Sequence, residues 1–386
     1  MEQTWRDKNS KVRTFFGKLD KGLIFAALLL SAFSCVLLYS IIKNQIVDHV
    51  GMSYLITQIG ATVLGIIALI FVAAIDYKKL AKLWFIMVPV SIALVLLTFT
   101  SLGVGVEGTD DKGWLDFGFI QFQPSEIMKL VFLITFSLHL SKDESKMNKP
   151  LHMLLIILHA LVPIGLVVLQ GDDGTALIFL FMFIFMMIMT KISWKYILAA
   201  AIAVPAAIVV YWNFFIGEVQ KNRILILFHP GTDPRGLEYQ QNLSLASLAA
   251  GKMFGKGLNA ADYVSVPEIY NDFIFSYIGQ TTGFIGCMIT LCVLAFICIR
   301  ILIDSRKAKD TQGMIICSGV FGMIFFHCIF NIGMVLKVMP VIGVPLPFLS
   351  AGGTSVLSMY IAIGLVISTY THNEKKYRLF YDVKDD

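Results

Sequence analysis

The sequence predicts an all-α integral membrane protein that crosses the bilayer about ten times. Of its 386 residues, 57% are hydrophobic and only 15% are charged, whereas soluble domains have roughly 45 to 50% apolar and about 25% charged residues. Apolar runs long enough to cross a hydrocarbon core of about 30 Å recur along the chain between short polar segments. This composition excludes an ordinary soluble domain. The net charge of +5 gives no indication of nucleic-acid binding.

Ten apolar runs are long enough to be membrane spans. They cover residues 22–42, 54–75, 80–100, 124–141, 151–169, 174–190, 195–213, 273–300, 312–336 and 352–371. The fourth run contains Glu126 and Lys129, and the sixth is about 17 residues long, near the lower limit for a span. We expect one polytopic domain over residues 1–386, with a basic cytoplasmic tail at 1–21 and a second cytoplasmic tail at 372–386.

The distribution of cations predicts the orientation of the chain. If both termini lie on the same side, the segments on that side contain 22 Lys and Arg residues and the opposite segments contain 8. An excess of cations marks the cytoplasmic side, so both termini are predicted to be cytoplasmic. The first run lacks a small-residue cleavage site and is expected to remain as a span. All six cysteines fall within spans, which predicts no disulfide framework.

Two segments on the predicted outer side are longer than the other loops, namely residues 101–123 and 214–272. Loops of this length are usually functional or disordered. The apolar stretch at 243–250 argues against disorder, and it predicts a short helix that lies at the membrane surface or dips into the bundle. We therefore expect 214–272 to be a structured extracellular loop between spans 7 and 8.

Glu126 and Lys129 are ionisable residues at predicted membrane depth, where charge is costly and usually functional. They are three residues apart, so they share one face of a helix and can reach one another. The pair is expected either to line a hydrated cavity for a polar or anionic ligand or to be a salt bridge that stabilises helix packing. Both roles are compatible.

Asp272 lies where the long outer loop enters the eighth span. It is either a helix cap, favoured there by the helix dipole, or a general base that takes a proton from a sugar hydroxyl. Glu268, four residues earlier, is expected to position the loop, assist the base, bind a metal ion or simply be solvated.

Other polar residues carry weaker signals. Asp172 and Asp173 are paired carboxylates that suit Mg²⁺ or Ca²⁺, although a turn and helix cap explains them as well. The segment 341–355 is either an ordinary turn or a re-entrant loop whose Gly352 and Gly353 amides face a phosphate. His327 and Asn331 are four residues apart and share a face, which is typical of interhelical hydrogen bonding. These residues alone leave a transporter and a membrane enzyme equally open.

The motifs taken together resemble those of the SEDS family of shape, elongation, division and sporulation proteins, which includes RodA, FtsW and SpoVE. The matching stretches are Gly113-Trp114-Leu115-Asp116-Phe117-Gly118, Phe122-Gln123-Pro124-Ser125-Glu126 with Lys129, Asp173-Gly174-Thr175-Ala176, Asp233-Pro234 to Tyr239-Gln240, Phe254-Gly255-Lys256-Gly257-Leu258, Pro267-Glu268 to Phe275, Asn331-Ile332-Gly333-Met334, and Pro345-Leu346-Pro347-Phe348. Their order and spacing agree over almost the whole chain, and the last two stretches are most similar to RodA.

The resemblance implies a peptidoglycan glycosyltransferase in the bacterial cytoplasmic membrane. Such an enzyme polymerises lipid II on the outer face for elongation, division or sporulation, with a class B penicillin-binding protein and other proteins of the elongation or division complex as partners. Asp272 would deprotonate the acceptor hydroxyl, and undecaprenyl pyrophosphate would leave with inversion. The implied substrate cavity comprises Glu126, Lys129, Trp114, Lys256, Glu268, Asp173, Asn331, Ser350, Gly352 and Gly353. Mg²⁺ or Mn²⁺, or the Lys256 region, would offset the charge of the leaving group; no organic cofactor is expected.

The chain departs from the family pattern at several positions. They are Gly113, Gly171, Gln280, Thr281, Ala351 and His327. These departures lead to the hypothesis of a divergent paralogue with altered substrate, partner or activity. They also keep two alternatives open, a flippase for a lipid-linked saccharide and a non-catalytic scaffold of the cell-wall machinery.

Overall fold

The computed structural model describes residue 15 and residues 17–105, 112–118, 121–142, 146–214 and 216–372. The helices are α1 (Lys21–Lys43), α2 (Met52–Ala74), α3 (Tyr77–Lys82), α4 (Trp84–Leu97), α5 (Pro124–Lys142), α6 (Pro150–Leu169), α7 (Asp173–Ile188), α8 (Trp194–Phe214), α9 (Glu218–Phe228), α10 (Tyr239–Gly251), α11 (Ile274–Ser305), α12 (Thr311–Val335) and α13 (Gly353–Thr371). Three short strands are β1 (Gly103–Val104), β2 (Trp114–Asp116) and β3 (Gln121–Phe122).

Helices occupy each of the ten ranges that the sequence predicts as spans, although the third range is divided at Leu83 between α3 and α4. Within the described residues, seven helices are long and apolar enough to cross a membrane: α1, α2, α6, α8, α11, α12 and α13. Two shorter apolar helices, α4 and α7, have 14 and 16 residues. The chain is thus a mostly helical, multi-pass membrane protein.

The surface and the interior of the bundle differ as a membrane requires. Large apolar side chains point outward, and Phe25, Ile56 and Phe71 are 66%, 65% and 66% exposed. Inside, small residues allow close helix contacts: a Cβ added at Gly65 of α2 would lie 2.6 Å from the ring of Tyr360 on α13. The Tyr360 hydroxyl is in turn hydrogen-bonded to Ser31 of α1 at 2.8 Å. Small residues and interhelical hydrogen bonds are the usual means of packing helices in lipid.

The long loop before α11 is structured. Its helix α10 packs against α11 so closely that a Cβ on Gly251 would be 1.8 Å from the carbonyl oxygen of Gly279. The Gln241 amide of α10 also donates to the carbonyl groups of Met334 and Met339, at 3.0 and 2.8 Å. The helix therefore dips into the bundle, which is one of the two placements expected for 243–250.

The eighth predicted span is not one continuous helix. At Gly283 the backbone leaves the helical region, with φ 71° and ψ −168°. The break leaves the carbonyl groups of Gln280 and Thr281 without helical partners, and they accept hydrogen bonds from the amides of Lys256 and Gly257, both at 2.9 Å. The Phe284 amide beyond the break donates to Lys252 O at 2.9 Å. A broken helix is tolerated at membrane depth because neighbouring backbone satisfies the freed groups.

Two further features position the site. The strands form a small antiparallel sheet in the order β1-β2-β3, and Phe122 of β3 leads into the first turn of α5. Helix α8 has no buried residue. Its side chains reach the bundle through Tyr211, which donates to Asp173 at 2.8 Å, and through Tyr196, which donates to Asn148 O at 2.9 Å.

Candidate active site

Asp272 lies immediately before α11, at the end of the bundle where the segment 341–351 folds inward. Its carbonyl oxygen accepts a hydrogen bond from Asn331 Nδ2 at 2.7 Å, and the same Nδ2 donates to Val344 O at 2.8 Å. The carboxylate is half-buried, and a Cβ on Gly343 would lie 3.7 Å from Asp272 Oδ2. Among the described residues nothing donates a hydrogen bond to this carboxylate. Its main chain is thus fixed, while its oxygens are available to a ligand.

The surroundings of Asp272 raise its pKa to about 7. Burial is the largest cause, because it disfavours the charged form, and the negative charges of Glu268 and Asp172 act in the same direction. The guanidinium of Arg223 opposes them. A carboxyl group with this pKa is about half deprotonated at neutral pH, which suits a general base.

Glu268 lies in the turn just before Asp272, and its charge acts on the Asp272 carboxyl group. Its backbone has a φ of 55°, an unusual value for a residue other than glycine, and its carbonyl oxygen accepts from the amides of Asn271 and Phe273 at 3.0 and 3.1 Å. This tight turn brings the Glu268 carboxylate close enough to Asp272 to raise its pKa.

Asp172 and Asp173 have different roles. Asp172 caps α7, since its Oδ1 accepts from the Thr175 amide at 2.8 Å, and its Oδ2 accepts from Gln123 at 3.0 Å. Burial raises the pKa of Asp172. Asp173 accepts a hydrogen bond from the hydroxyl of Tyr211. The capping interpretation is confirmed for Asp172, whose charge also contributes to the field at Asp272.

Arg223 of α9 is the site residue that sequence reasoning missed. Its Nη1 donates to Val341 O at 3.0 Å, and its positive charge acts on both Asp173 and Asp272. Within the described ranges no carboxylate oxygen lies within 4.0 Å of this guanidinium. Burial lowers the pKa of Arg223. The available signal was a cation within the apolar end of α9, Arg223-Ile224-Leu225-Ile226-Leu227-Phe228.

The predicted pair of Glu126 and Lys129 is fully internal. Lys129 is 0% exposed, and its Nζ donates to Glu126 Oε1 at 2.9 Å. The other carboxylate oxygen of Glu126 accepts from Ser358 of α13, and Lys129 Nζ lies 3.4 Å from His327 Nε2 on α12. The charge of Lys129 also reaches Asp172. The pair therefore connects three helices, and its two opposite charges act on Asp172 in opposite directions.

Some predicted cavity residues are used for other contacts. The ammonium of Lys256 binds Asp262 at 2.7 Å, and the Lys256 amide caps Gln280, about 9 Å along α11 from its start. Lys256 thus makes contacts within the long loop and at the break in α11, and its role toward a leaving group stays a prediction. Trp114 of β2 pairs with Val104 in the sheet, and the described residues show no hydrogen bond between its indole and Asp272.

Two glycines stand at the start of α13, Gly352 as its N-cap and Gly353 as its first residue. The Gly352 amide is directed at Gln58 Oε1, 3.4 Å away, and a Cβ on Gly353 would lie 3.1 Å from Thr57. Ser350 donates to Asn271 O and accepts from the Leu346 amide, both at 2.7 Å. These contacts fix the 341–351 segment beside Asp272, and the place of Ser350, Gly352 and Gly353 in a substrate cavity stays a prediction.

The departures from the family pattern are mostly outside the acidic site. Gln280 accepts from Ser247 of α10 at 2.9 Å, and Thr281 donates to Tyr277 O of its own helix at 2.7 Å. Gly171 has a φ of 86° in the turn before α7, a conformation that proline cannot adopt. Among these, His327 contacts the buried Lys129 directly.

A metal centre is not evident among the described residues, which contain no group of three or more His, Cys, Asp or Glu side chains that could hold a metal ion. An apolar groove of about 640 Å³ lies elsewhere, between α1 and α11, and its lining has no charged side chain. It is therefore separate from the candidate active site.

The fold and the site define a polytopic helical membrane protein with a half-buried carboxylate, Asp272, at one end of the bundle and the cation Arg223 near it. The chain belongs to the family of cell cycle proteins that includes FtsW, RodA and SpoVE, whose family model matches residues 21–375. This membership confirms the resemblance found in the sequence motifs.

Named relatives agree with the family match. The chain is 28% identical over 374 residues to the peptidoglycan glycosyltransferase MrdB of Escherichia coli K12, covering 95% of this chain and 98% of that protein. It is 32% identical over 328 residues to the probable peptidoglycan glycosyltransferase FtsW of Enterococcus hirae, covering 81% of each. A solved structure described as structural coordination of polymerization and crosslinking by a peptidoglycan synthase complex is 26% identical, with a TM-score of 0.75, covering 92% of this chain and 99% of that chain.

Proposed function

We propose that this chain is a peptidoglycan glycosyltransferase that polymerises lipid II on the outer face of the bacterial cytoplasmic membrane. Family membership and relatives named as peptidoglycan glycosyltransferases support the activity. The observation that carries the proposal is Asp272, a carboxyl group with a pKa of about 7, free oxygens and a guanidinium nearby. A base of this kind can activate a hydroxyl at neutral pH.

The reaction follows from these groups. Asp272 takes the proton of the acceptor sugar hydroxyl as its oxygen attacks the anomeric carbon of the donor. The bond between that carbon and the phosphate oxygen breaks, and undecaprenyl diphosphate leaves with the bonding electrons. A single displacement of this kind inverts the anomeric configuration. Burial and, after it, the negative charge of Glu268 raise the pKa of Asp272, so its proton affinity is high enough for this role.

The leaving diphosphate needs positive charge. Arg223 has guanidinium N–H groups beyond the one that binds Val341 O, and Lys129 supplies a second cation at depth. Preorganised donors of this kind stabilise charge that develops in the transition state. A divalent cation, Mg²⁺ or Mn²⁺, is proposed to come with the diphosphate, whose oxygens suit such ions. Removal of divalent cations with EDTA is expected to lower turnover, and added Mg²⁺ or Mn²⁺ to restore it.

The setting of the reaction is also part of the proposal. We propose ten spans with both termini in the cytoplasm, an arrangement that would put Asp272 and the 214–272 loop on the outer side, as the distribution of Lys and Arg favours. A class B penicillin-binding protein is the proposed partner, supported by the similarity to a chain of a peptidoglycan synthase complex. The growth process served is proposed to be elongation, division or sporulation.

The test is polymerisation of labelled lipid II by the purified protein, with and without the co-expressed penicillin-binding partner. Asp272→Asn keeps the shape of the side chain but removes the base, so activity should fall by about 10²-fold or more. Asp48→Asn, which changes an exposed acid in the α1–α2 connection, is the matched control and should leave activity unchanged. Strands from wild type and from Asp48→Asn but not from Asp272→Asn would support the proposal.

The buried charges favour a flippase as the second candidate, because an ion pair inside a bundle also suits passage of a polar headgroup. Translocation of fluorescent lipid II in proteoliposomes distinguishes the two. Transport without strand formation would replace the glycosyltransferase with a flippase. If the protein shows neither transport nor strand formation, the non-catalytic scaffold is the remaining alternative.

A further inference from the structure

Tyr270 lies in the turn two residues before Asp272, and its side chain is buried. Its carbonyl oxygen accepts a hydrogen bond from the Ala351 amide at 2.9 Å, which fixes its main chain. Its ring packs edge to face against Tyr54 in the first turn of α2 and His49 in the α1–α2 connection, with ring centroids 5.1 and 5.7 Å apart. Two other parts of the chain therefore hold this ring in one position.

The Tyr270 hydroxyl interacts with the carboxylate of Glu268. Burial, the negative charge of Glu268 and a hydrogen bond with it raise the pKa of Tyr270, so the phenol keeps its proton. A carboxylate only accepts hydrogen bonds, so the hydroxyl is the donor. His49 Nε2 lies 3.4 Å from the hydroxyl oxygen, which can accept from an N–H there. The order of donation is His49 to Tyr270 to Glu268.

The Glu268 carboxylate lies in the field of a second acid. Its φ of 55° and the amides of Asn271 and Phe273 on its carbonyl oxygen close a tight turn, and its negative charge acts on Asp272. Like charges repel, so a half-buried glutamate without a partner would turn toward solvent, where its charge is screened. A hydrogen bond to an ionised group is a strong one, and the Tyr270 hydroxyl opposes that movement.

We propose that Tyr270 is a positioning residue, whose hydroxyl holds the Glu268 carboxylate beside the base Asp272, and that His49 and Tyr54 fix the Tyr270 ring for this purpose. The inference rests on the proposed function, in which Asp272 takes the proton of the acceptor hydroxyl. It makes the α1–α2 connection and the start of α2 a support for the base.

Tyr270→Phe removes the hydroxyl and keeps the ring. The Glu268 side chain is then free to turn toward solvent, so its charge raises the pKa of Asp272 less. The acid limb of the kcat/KM profile for lipid II polymerisation should move to lower pH, by about 0.5 to 1 unit. Burial, Asp172 and Arg223, the other influences on Asp272, are unchanged. Loss of packing alone would lower the plateau of the profile without moving the limb.

Tyr360→Phe is the matched control. Tyr360 is another buried tyrosine, and its hydroxyl is hydrogen-bonded to Ser31 at 2.8 Å. This variant should leave the acid limb at the wild-type pH. Thermal unfolding in detergent is measured for every variant. An unmoved limb in Tyr270→Phe, or an equal movement in Tyr360→Phe, would overturn the proposal.

A double-mutant cycle tests whether Tyr270 acts through Glu268. Glu268→Gln removes the charge itself, so it should move the limb to lower pH by at least as much as Tyr270→Phe. Adding Tyr270→Phe to the Glu268→Gln protein should move it no further, because the charge that the hydroxyl holds is already gone. An equal added movement in both backgrounds would overturn the proposal, since Tyr270 would then act without Glu268.

His49 provides a test that leaves the buried tyrosine intact. It is exposed, so substitution there does not disturb the core. Leucine and glutamine both remove the titratable imidazole, but only glutamine keeps an N–H donor for the Tyr270 hydroxyl. His49→Leu should therefore move the limb to lower pH relative to His49→Gln, by less than Tyr270→Phe does. Identical profiles for the two variants would overturn the role of His49.

A second readout does not depend on turnover. The protonated Asp272 carboxyl group has an infrared C=O band that is absent from Asp272→Asn, and its titration gives the pKa directly in wild type, Tyr270→Phe and Tyr360→Phe. Only Tyr270→Phe should titrate at lower pH. A wild-type protein that makes no glycan strands would reject the glycosyltransferase, and this titration would still decide whether Tyr270 holds the charge of Glu268 beside Asp272.

Discussion

Asp272 makes activity depend on pH near neutrality. Its pKa is raised to about 7 by burial and by the charges of Glu268 and Asp172. The deprotonated form is the base, so kcat/KM should fall as pH decreases below about 7, by about tenfold per pH unit. The profile of kcat/KM against pH for lipid II polymerisation checks this. An acid limb near pH 4, the ordinary carboxyl range, would contradict the assignment of Asp272.

Arg223 influences the pH at which the acid limb of the kcat/KM profile lies. Its positive charge lowers the pKa of Asp272 against the larger effects that raise it. Arg223→Gln removes this charge, so the pKa of Asp272 should rise and the acid limb should move to higher pH. The control is Lys221→Gln on the same helix, whose ammonium pairs with Glu218 at 3.3 Å. The two pH profiles are compared, and an unmoved limb in Arg223→Gln would contradict the electrostatic role.

At the residue scale, the sequence could predict what depends on local chemistry. Glu126 and Lys129 stood out because charge at membrane depth is costly, and Asp272 stood out from its place at the start of a span. Arg223 could not be predicted, since its proximity to Asp272 comes from the folding of the 214–272 loop. The partner of the Lys256 ammonium could not be predicted for the same reason, because the folding of that loop brings Asp262 to it.

At the element scale, the break in α11 is the feature most sensitive to substitution. Gly283 has a φ of 71°, and a Cβ there would lie 2.4 Å from the Gly255 amide nitrogen. Gly283→Ala combines a left-handed backbone with this clash, so it should destabilise the protein by about 1–3 kcal/mol from strain alone. Thermal unfolding in detergent and lipid II polymerisation are the measurements, and both should decline.

The matched control is Gly165→Ala in α6. A Cβ at Gly165 meets nothing within 4 Å, and alanine favours a helix over glycine by roughly 0.5–1 kcal/mol. Gly165→Ala should therefore unfold at the wild-type temperature or slightly above it. Equal behaviour of the two variants would show that the α11 break does not depend on glycine.

The same break shows the limit of hydropathy at this scale. Apolar length predicts where each helix lies, and helices occupy all ten expected ranges. It does not predict that α11 is interrupted, because the interruption depends on the Lys252 to Gly257 backbone replacing helical hydrogen bonds. Nor does it predict that α8 has no buried residue. An apolar helix has the same hydropathy whether it faces protein or lipid.

At the scale of the whole molecule, orientation decides whether the chemistry is possible. Lipid-linked sugars are polymerised outside the cell, so Asp272 must be on the outer side. The 22 to 8 division of Lys and Arg predicts this orientation. The six native cysteines all lie in helices, so a single cysteine placed in a loop can report which side that loop occupies.

Arg235→Cys and Lys79→Cys are the two variants that test the orientation. Both positions are exposed, the first in the loop between α9 and α10 and the second in the short helix α3 after α2. In intact cells or spheroplasts a membrane-impermeant maleimide should label Arg235→Cys, while Lys79→Cys should be labelled only after the membrane is permeabilised. The unsubstituted chain measures background labelling. The reverse pattern would place Asp272 in the cytoplasm, away from any extracellular acceptor, and the glycosyltransferase proposal would fail with it.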